Sequence, residues 1–176
     1  MSGASWQEHP ADLPGEPDIF ETLEDAYERL ETLLERVFAP GEAELTPDRV
    51  VHRRRRRLRA ATRSLASHLE AEECLLYGRL DGGEPAVAAA LAQHHHLRRL
   101  IAELSALSPA NPAWERRARS LKWSAEAHFQ HEEQEIFDLL RSTLGAETQR
   151  RLAVSLRNAT PAGSGESNEA PGAERT

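Results

Sequence analysis

Cysteine is nearly absent from this sequence, because Cys74 is the only one among 176 residues. A single thiol excludes an intramolecular disulfide, and it excludes a zinc site built from several thiolates of one chain. Both exclusions fit a protein that works in a reducing compartment, and we therefore expect the cytoplasm.

Long apolar runs are missing as well. No stretch approaches the roughly 18 consecutive apolar residues that indicate a membrane-spanning helix. The amino-terminal segment MSGASWQEHPADLPGEP (1–17) has neither the basic region nor the apolar core of a signal peptide. We expect neither export nor membrane insertion, and no membrane partner.

An excess of positive charge is also absent, since the formal net charge is −7. The one basic feature is the run HRRRRRLRAATR (52–63). Its consecutive arginines, Arg53–Arg57, cannot share one side of a helix, and acidic residues of ETLEDAYERLETLLE (21–35) can neutralise several of them. No aromatic residue lies nearby to stack on bases. We expect no nucleic-acid partner.

Strand-like alternation of apolar and polar residues is not found, and four long runs have helical periodicity instead. Each run is opened by a capping residue or a proline and is closed by glycine, proline or serine. Their limits are Asp18 to Pro40-Gly41, Thr46-Pro47 to Asp81-Gly82-Gly83, Pro85 to Ser108-Pro109, and Asn111-Pro112 to Gly145. A shorter helix is predicted over about 147–157.

Four amphipathic helices with short connections predict an all-α fold. We expect an antiparallel up-down four-helix bundle over residues 18–158, with a short C-terminal helix. The end segments 1–17 and 159–176 are polar and contain proline, and we expect both to be disordered tails.

Histidine and glutamate interrupt the apolar stripes of these helices. His68/Glu72 and His128/Glu132 share the i, i+4 spacing that places both side chains on one helical face. The segments HLEAEECLLYGRL (68–80) and HFQHEEQEIFDLL (128–140) align His with His and Glu-Glu with Glu-Glu. In the third run, His94 takes the corresponding place on the stripe.

These five residues lie at similar depths in the predicted bundle. At about 1.5 Å per residue, His94 is roughly 14 Å from one end, and the two pairs are roughly 12–18 Å and 18–24 Å from the same end. Imidazoles and carboxylates that converge in a bundle core predict a metal site. Nitrogen and oxygen ligands suit iron or manganese, with one ion or two.

Alternatives stay open for single residues. A lone buried histidine is commonly a hydrogen-bonded core residue, and a His-Glu pair at this spacing is commonly a surface pair. A shift of one residue in the third helix would replace His94 by His95, and Glu133 competes with Glu132 in the fourth. Glu73 is expected beside the site or at the surface.

The two His-Glu pairs, joined by HHHLR (94–98), make residues 18–142 resemble the hemerythrin-like, or HHE cation-binding, domain family. The resemblance implies a non-heme four-helix bundle with two iron ions, oxo- and carboxylate-bridged. It also implies a small diatomic or peroxide ligand, namely oxygen, peroxide or nitric oxide. Carried over by position, the implied ligands are His68, Glu72, His94, His128 and Glu132, with the two glutamates bridging the metals.

The first helix departs from the family pattern. Where the family usually has Asp-His, this sequence has Asp25-Ala26, followed by Tyr27. Tyr27 is a candidate substitute ligand, because phenolate binds ferric iron and a bound cation can lower a phenol pKa. The alternative is a core tyrosine with a hydrogen-bonded hydroxyl. Arg98 stands where longer hemerythrins have a further histidine, so reversible oxygen carriage is not expected.

Two functional hypotheses follow. The first is a diiron protein that senses, binds or reduces a small oxidant, with any redox activity directed at peroxide or nitric oxide. The second is a metal-poor helical interaction module with a degenerate site. The sequence leaves the oligomeric state open.

Overall fold

A computed structural model describes residues 18–39 and 45–160, and these residues form helices and turns without a strand. The all-α prediction is confirmed. The predicted tail 1–17 and residues 161–176 of the predicted tail 159–176 lie outside the described residues, and the described Ala159 is the last residue of a helix. The helices are α1 (Ile19–Arg36), α2 (Pro47–Leu75), α3 (Pro85–Ala106), α4 (Pro112–His131), α5 (Phe137–Thr143) and α6 (Ala146–Ala159).

Capping residues fix the starts of two of these helices. The Asp18 carboxylate accepts hydrogen bonds from the backbone N–H groups of Phe20 and Glu21, at 2.8 and 2.9 Å. The Glu21 carboxylate accepts from the N–H of Asp18 in return, which completes a capping box. At α4, Asn111 Oδ1 accepts from the N–H of Ala113 at 2.8 Å. Proline occupies the first position of α2, α3 and α4, where no intrahelical donor is lost.

The second helix ends earlier than the sequence predicts. The α-helical part of α2 stops at Leu75, and a 3₁₀ turn, Tyr77–Arg79, follows it. Gly78 lies in this turn, and glycine weakens a helix interior. The side chain of Tyr77, the first residue of the 3₁₀ turn, is buried. A polar aromatic group therefore belongs to the core at this point.

The fourth predicted run contains a π-helical turn, Glu132–Ile136, between α4 and α5. The N–H of Phe137 bonds to the carbonyl of Glu132, which inserts one extra residue into the helical turn. Ile136 and Phe137 are therefore both buried, whereas Glu133 and Glu135 are exposed.

The helices pack against one another through buried apolar side chains. α1 packs against α2, α4 and α6, and α3 packs against α4 and α2. α6 covers one side of α1 and α2 with the buried residues Leu152, Ala153 and Leu156. Among the described residues, no helix is long and apolar enough to span a membrane.

In the arginine-rich part of α2, some arginines contact other parts of the protein and others are exposed to solvent. Arg57 Nη1 donates to the carbonyl of Ala39 at 3.0 Å, and the Arg54 guanidinium lies 6.0 Å from the ring centre of Trp114. Arg55 and Arg59 are exposed. Some of the arginines are therefore structural, which agrees with the expectation that they cannot all face one partner.

Candidate metal centre

The five residues predicted as ligands form one buried cluster. Atoms of Glu72, His94, His128 and Glu132 that can bind a metal all lie within 4.8 Å of one another. His68 joins them through a 2.6 Å contact between its Nε2 and Glu72 Oε1. Each of the five side chains is at most 1% exposed. Burying so many polar groups costs free energy unless each finds a partner. A bound ion that contacts several of these groups at once would lower that cost.

Helix geometry selects among the alternatives left open by the sequence. His94 is fully buried in the cluster, whereas His95 is exposed. Glu132 is buried, whereas Glu133 is exposed. The register therefore turns His94 and Glu132 toward the cluster, although their role as metal ligands stays a prediction.

His94 is held by a carboxylate outside the cluster. Its Nδ1 lies 2.7 Å from Glu73 Oε1, and Arg98 Nη1 donates to the same oxygen at 2.7 Å. Partial burial raises the pKa of Glu73, but the hydrogen bonds from Arg98 and His94 outweigh it and lower that pKa below its ordinary value. A carboxylate only accepts hydrogen bonds, so His94 carries its proton on Nδ1. Its Nε2 lone pair faces the cluster, as in metal-bound histidines.

His128 is held in the same way by an amide. Its Nδ1 lies 2.9 Å from Gln93 Oε1, so in the neutral ring Nε2 again carries the lone pair. Burial lowers the pKa of His128 below its ordinary value, which favours that neutral ring. The Nε2 atoms of His94 and His128 are 3.0 Å apart. Two lone pairs at this distance repel each other unless a proton or a cation lies between them.

Glu72 lies between the two parts of the cluster. Its Oε1 contacts His68, and its Oε2 is 3.4 Å from His94 Nε2 and 3.7 Å from His128 Nε2. Burial raises the pKa of Glu72, but the charge of His68 and the close contacts with all three histidines hold it well below its ordinary value. Glu72 therefore connects His68 on one side of the cluster to His94 and His128 on the other.

Several of these buried atoms have no hydrogen-bond partner of acceptable geometry within the part of the chain that the structure describes. They include both nitrogens of His68 and both carboxylate oxygens of Glu72. Orphaned polar atoms are rare in protein interiors. The Glu72 oxygens and His68 Nε2, next to the two facing imidazole lone pairs of His94 and His128, fit a site whose partner is a cation.

Glu132 is held by two tyrosines. Tyr27 donates its hydroxyl hydrogen to Glu132 Oε2 at 2.7 Å, and Tyr77 donates to Glu132 Oε1. Burial, followed by the negative charge of Glu72, raises the pKa of Glu132 well above its ordinary value. A cation bound next to this carboxyl group would lower that pKa.

Tyr77 belongs to the site but was not predicted from the sequence. Its hydroxyl lies 3.4 Å from His94 Nε2 in addition to its bond with Glu132. The sequence places Tyr77 where the aligned segment has Phe137, so the alignment by itself indicates an aromatic core position. The hydroxyl is the signal that could have found it, because a buried tyrosine hydroxyl needs a polar partner.

Tyr27 lies beside the cluster as a hydrogen-bonded core residue. Its ring stacks on Phe129, with 4.6 Å between ring centres, and meets the His68 ring edge-on at 5.4 Å. Burial, and then the charge of Glu132, raise the pKa of Tyr27 well above its ordinary value. This geometry corresponds to the alternative given for Tyr27, and its role as a metal ligand stays a prediction.

Comparison with known proteins gives one family. The family model described as "Hemerythrin HHE cation binding domain" matches residues 18–140 and 86–155. A protein of Nostoc sp. (strain PCC 7120 / SAG 25.82 / UTEX 2576) named "DNA nickase" is 29% identical over 99 residues, which are 55% of this chain and 28% of the Nostoc protein. The similarity thus spans less than a third of that relative. No solved structure matches the chain.

Proposed function

The chain belongs to the hemerythrin HHE cation-binding domain family, and on that premise we propose that its buried cluster binds iron and handles a small oxidant. The oxidant is oxygen, peroxide or nitric oxide. The observation that carries the proposal is the 3.0 Å distance between the Nε2 atoms of His94 and His128. Both rings carry their proton on Nδ1, so both lone pairs converge on one point. An ion held by both rings would replace the repulsion between these lone pairs with attraction.

The proposed ligands divide into two groups on either side of Glu72. His94, His128 and Glu132 would hold one ion and His68 would hold the other, with Glu72 shared between them. Imidazole nitrogen and carboxylate oxygen are ligands that suit iron. Bound iron would supply a redox centre and a Lewis acid with an open position for the oxidant.

The protein groups around the cluster have roles of their own. Tyr27 and Tyr77 orient the Glu132 carboxyl through its two oxygens, and Phe129, which is 2% exposed, closes the site against water. Burial raises the pKa of Tyr77 above its ordinary value, so its hydroxyl keeps its proton. Tyr77 can therefore act as a hydrogen-bond donor toward the space beside His94.

The proposal includes the antiparallel up-down arrangement of the four long helices. Between α1 and α2, Ala39 contacts Arg57 whereas Tyr27 contacts His68, so residue numbers rise along one helix and fall along the other. The same reversal supports the pairing of α1 with α4 and of α3 with α4, through the contacts Phe20–Phe137, Glu35–Lys122, Ala86–His131 and Glu103–Arg117.

Metal analysis and absorption spectroscopy test the function directly. Protein produced with iron supplied should contain two irons per chain and absorb in the near ultraviolet through charge transfer to ferric iron. A colourless chain that stays free of metal after iron loading would refute the proposal. Manganese in place of iron would keep the site and change the chemistry.

A second candidate is a metal-poor helical interaction module. The observation that favours it is that hydroxyl groups already satisfy both oxygens of Glu132, while Ala26 offers no ligand atom. The two candidates differ in the response to iron. Only the diiron protein should gain thermal stability when ferrous iron is added without oxygen, because a ligand that binds the native state alone stabilises it.

A further inference from the structure

A cavity of about 330 Å³ lies beside the cluster, between α1 and α2. Ala26 and His68, both buried, line it. The small side chain of Ala26 leaves space next to the His68 ring. The cavity continues along the two helices past Arg29, Leu30, Leu33, Arg36, Ser64 and Thr160.

His68 differs from the other two histidines of the cluster in its outer nitrogen. Glu73 accepts the Nδ1–H of His94, and Gln93 accepts that of His128. His68 Nδ1 is buried and has no hydrogen-bond partner among the described residues. Because His68 Nε2 is turned to Glu72, Nδ1 is the nitrogen left for a partner from the cavity. A buried ring nitrogen without a partner is costly, so a group in the cavity that accepts a hydrogen bond from Nδ1 would lower this cost.

The other lining residues define the chemistry of that acceptor. Arg29 and Arg36 line the cavity together with one carboxylate, Glu28, and neither arginine forms a salt bridge with a residue that the structure describes. Leu30 and Leu33 add apolar surface to the same lining. Positive charge next to apolar surface favours an anion with an aliphatic part.

We propose that the cavity binds a short aliphatic carboxylic acid. Its carboxylate accepts the Nδ1–H of His68 and pairs with Arg29, while its chain lies against Leu30 and Leu33. The acid thereby supplies to His68 the acceptor that Glu73 supplies to His94. The proposal deepens the proposed function, since a fixed His68 ring is a better metal ligand.

Nuclear magnetic resonance of the metal-free, full-length chain tests binding. The protein is labelled with ¹⁵N in its histidines and titrated with sodium butyrate, and the His68 signal is identified by its loss in His68→Gln. We expect a saturable shift of His68 Nδ1, and no such shift with butylammonium or inorganic phosphate. An absent or linear response to butyrate, or an equal response to phosphate, overturns the proposal.

Substitutions locate the site. Arg29→Gln should weaken butyrate binding about tenfold, as expected for one charge-assisted hydrogen bond. Arg116→Gln, which removes the same charge from an exposed position on α4, should leave binding unchanged. Equal weakening by both would mean a bulk charge effect and would overturn the site.

Substitutions that fill the cavity test the proposal in a second way. Ala26→Leu should abolish butyrate binding. Because overpacking can cost stability, Ser64→Leu at the half-buried opposite wall serves as an independent variant. Unchanged affinity in a folded form of either variant, judged by circular dichroism, contradicts the proposal.

The carboxylate has two possible sources, a free acid or the chain itself. Glu166, Glu169 and Glu174 follow Thr160 in the sequence, and Thr160 lies at the cavity. If their carboxylates occupy the site, the triple Glu→Gln variant should bind butyrate more tightly than the wild type. Unchanged affinity identifies a free acid. Both results keep the carboxylate site.

Iron binding separates this proposal from the proposed function. If both hold, saturating butyrate should tighten iron binding severalfold, and Arg29→Gln should remove that gain. If the chain fails to bind iron but the His68 shift saturates with butyrate, the cavity site stands without the diiron function. If iron binds and butyrate does not, only the cavity proposal fails.

Discussion

The two sides of the buried cluster differ in how firmly their histidines are held. On the side of His94 and His128, each outer nitrogen donates to a polar side chain, and the two inner nitrogens are 3.0 Å apart. On the side of His68, Nδ1 has no hydrogen-bond partner in the described structure, and a cavity lies next to the ring. Under the proposed function, the first side would be arranged for an ion before any ion binds, whereas the second side would need an additional group to hold His68.

This difference teaches that a run of matching ligands does not make two equal metal positions. Preorganisation lowers the cost of binding, because the ligands need not be reoriented. Where no residue accepts a hydrogen bond from Nδ1, we expect the same imidazole to bind a metal ion with lower affinity. We therefore expect the two proposed ions to bind with different affinities, the ion at His94 and His128 more tightly.

Removing Glu72 should have the largest effect, because this carboxylate contacts both sides. Glu72→Ala should reduce bound iron to a trace, and His128→Ala should do nearly the same. Metal analysis after iron loading gives the readout, and circular dichroism confirms the helical fold. His95→Ala, an exposed neighbour of His94, is the matched control and should keep the iron. If His95 proves essential and His94 dispensable, the register of α3 differs from the one described here.

His68→Ala should separate the two sides. It removes the histidine of the weaker position and leaves His94, His128 and Glu132 in place. We expect the loss of half of the bound iron, measured by metal analysis. Complete loss would show that the two positions depend on each other and would contradict the asymmetry.

Loss of the group that holds His94 should have a moderate effect. Glu73→Ala removes the acceptor of the Nδ1–H, and changes of this kind typically reduce metal affinity about 10–100-fold. Competition with a chelator measures the affinity. Glu70→Ala, at an exposed position of the same helix, should leave it unchanged.

Tyr77→Phe should have a smaller effect, on the stability of the metal-free chain. One oxygen of Glu132 loses its donor while the aromatic packing remains, which should lower the free energy of unfolding by about 1–2 kcal/mol. Urea unfolding followed by circular dichroism gives the value. An unchanged midpoint would mean that water replaces the hydroxyl without cost.

The smallest expected effect concerns the colour of the ferric protein. Because the Tyr27 hydroxyl donates to Glu132 Oε2 at 2.7 Å, we expect no phenolate-to-iron band in the visible spectrum, and no loss of iron in Tyr27→Phe. A visible band that disappears in Tyr27→Phe while iron remains would establish Tyr27 as a ligand.

The sequence allowed the helical class and the set of clustered residues to be predicted, for a local physical reason. Capping residues, prolines and the 3.6-residue period act within one helix, so Asp18, Asn111 and the pair spacing His68/Glu72 can be read along the chain. The family resemblance added the expectation of iron. The ends of the second and fourth runs were less predictable. The 3₁₀ turn at Gly78 and the π-helical turn that begins at Glu132 depend on packing between helices.

The amino-acid sequence by itself determined which helices form and which of their faces carry histidine and glutamate, because these properties depend on neighbours a few residues away. Only the tertiary structure decided the partners that fix those groups. Tyr77 with Glu132, Gln93 with His128 and the cavity between Ala26 and His68 each join different helices. Contacts of this kind depend on how the helices pack in three dimensions, and no spacing along one helix encodes them.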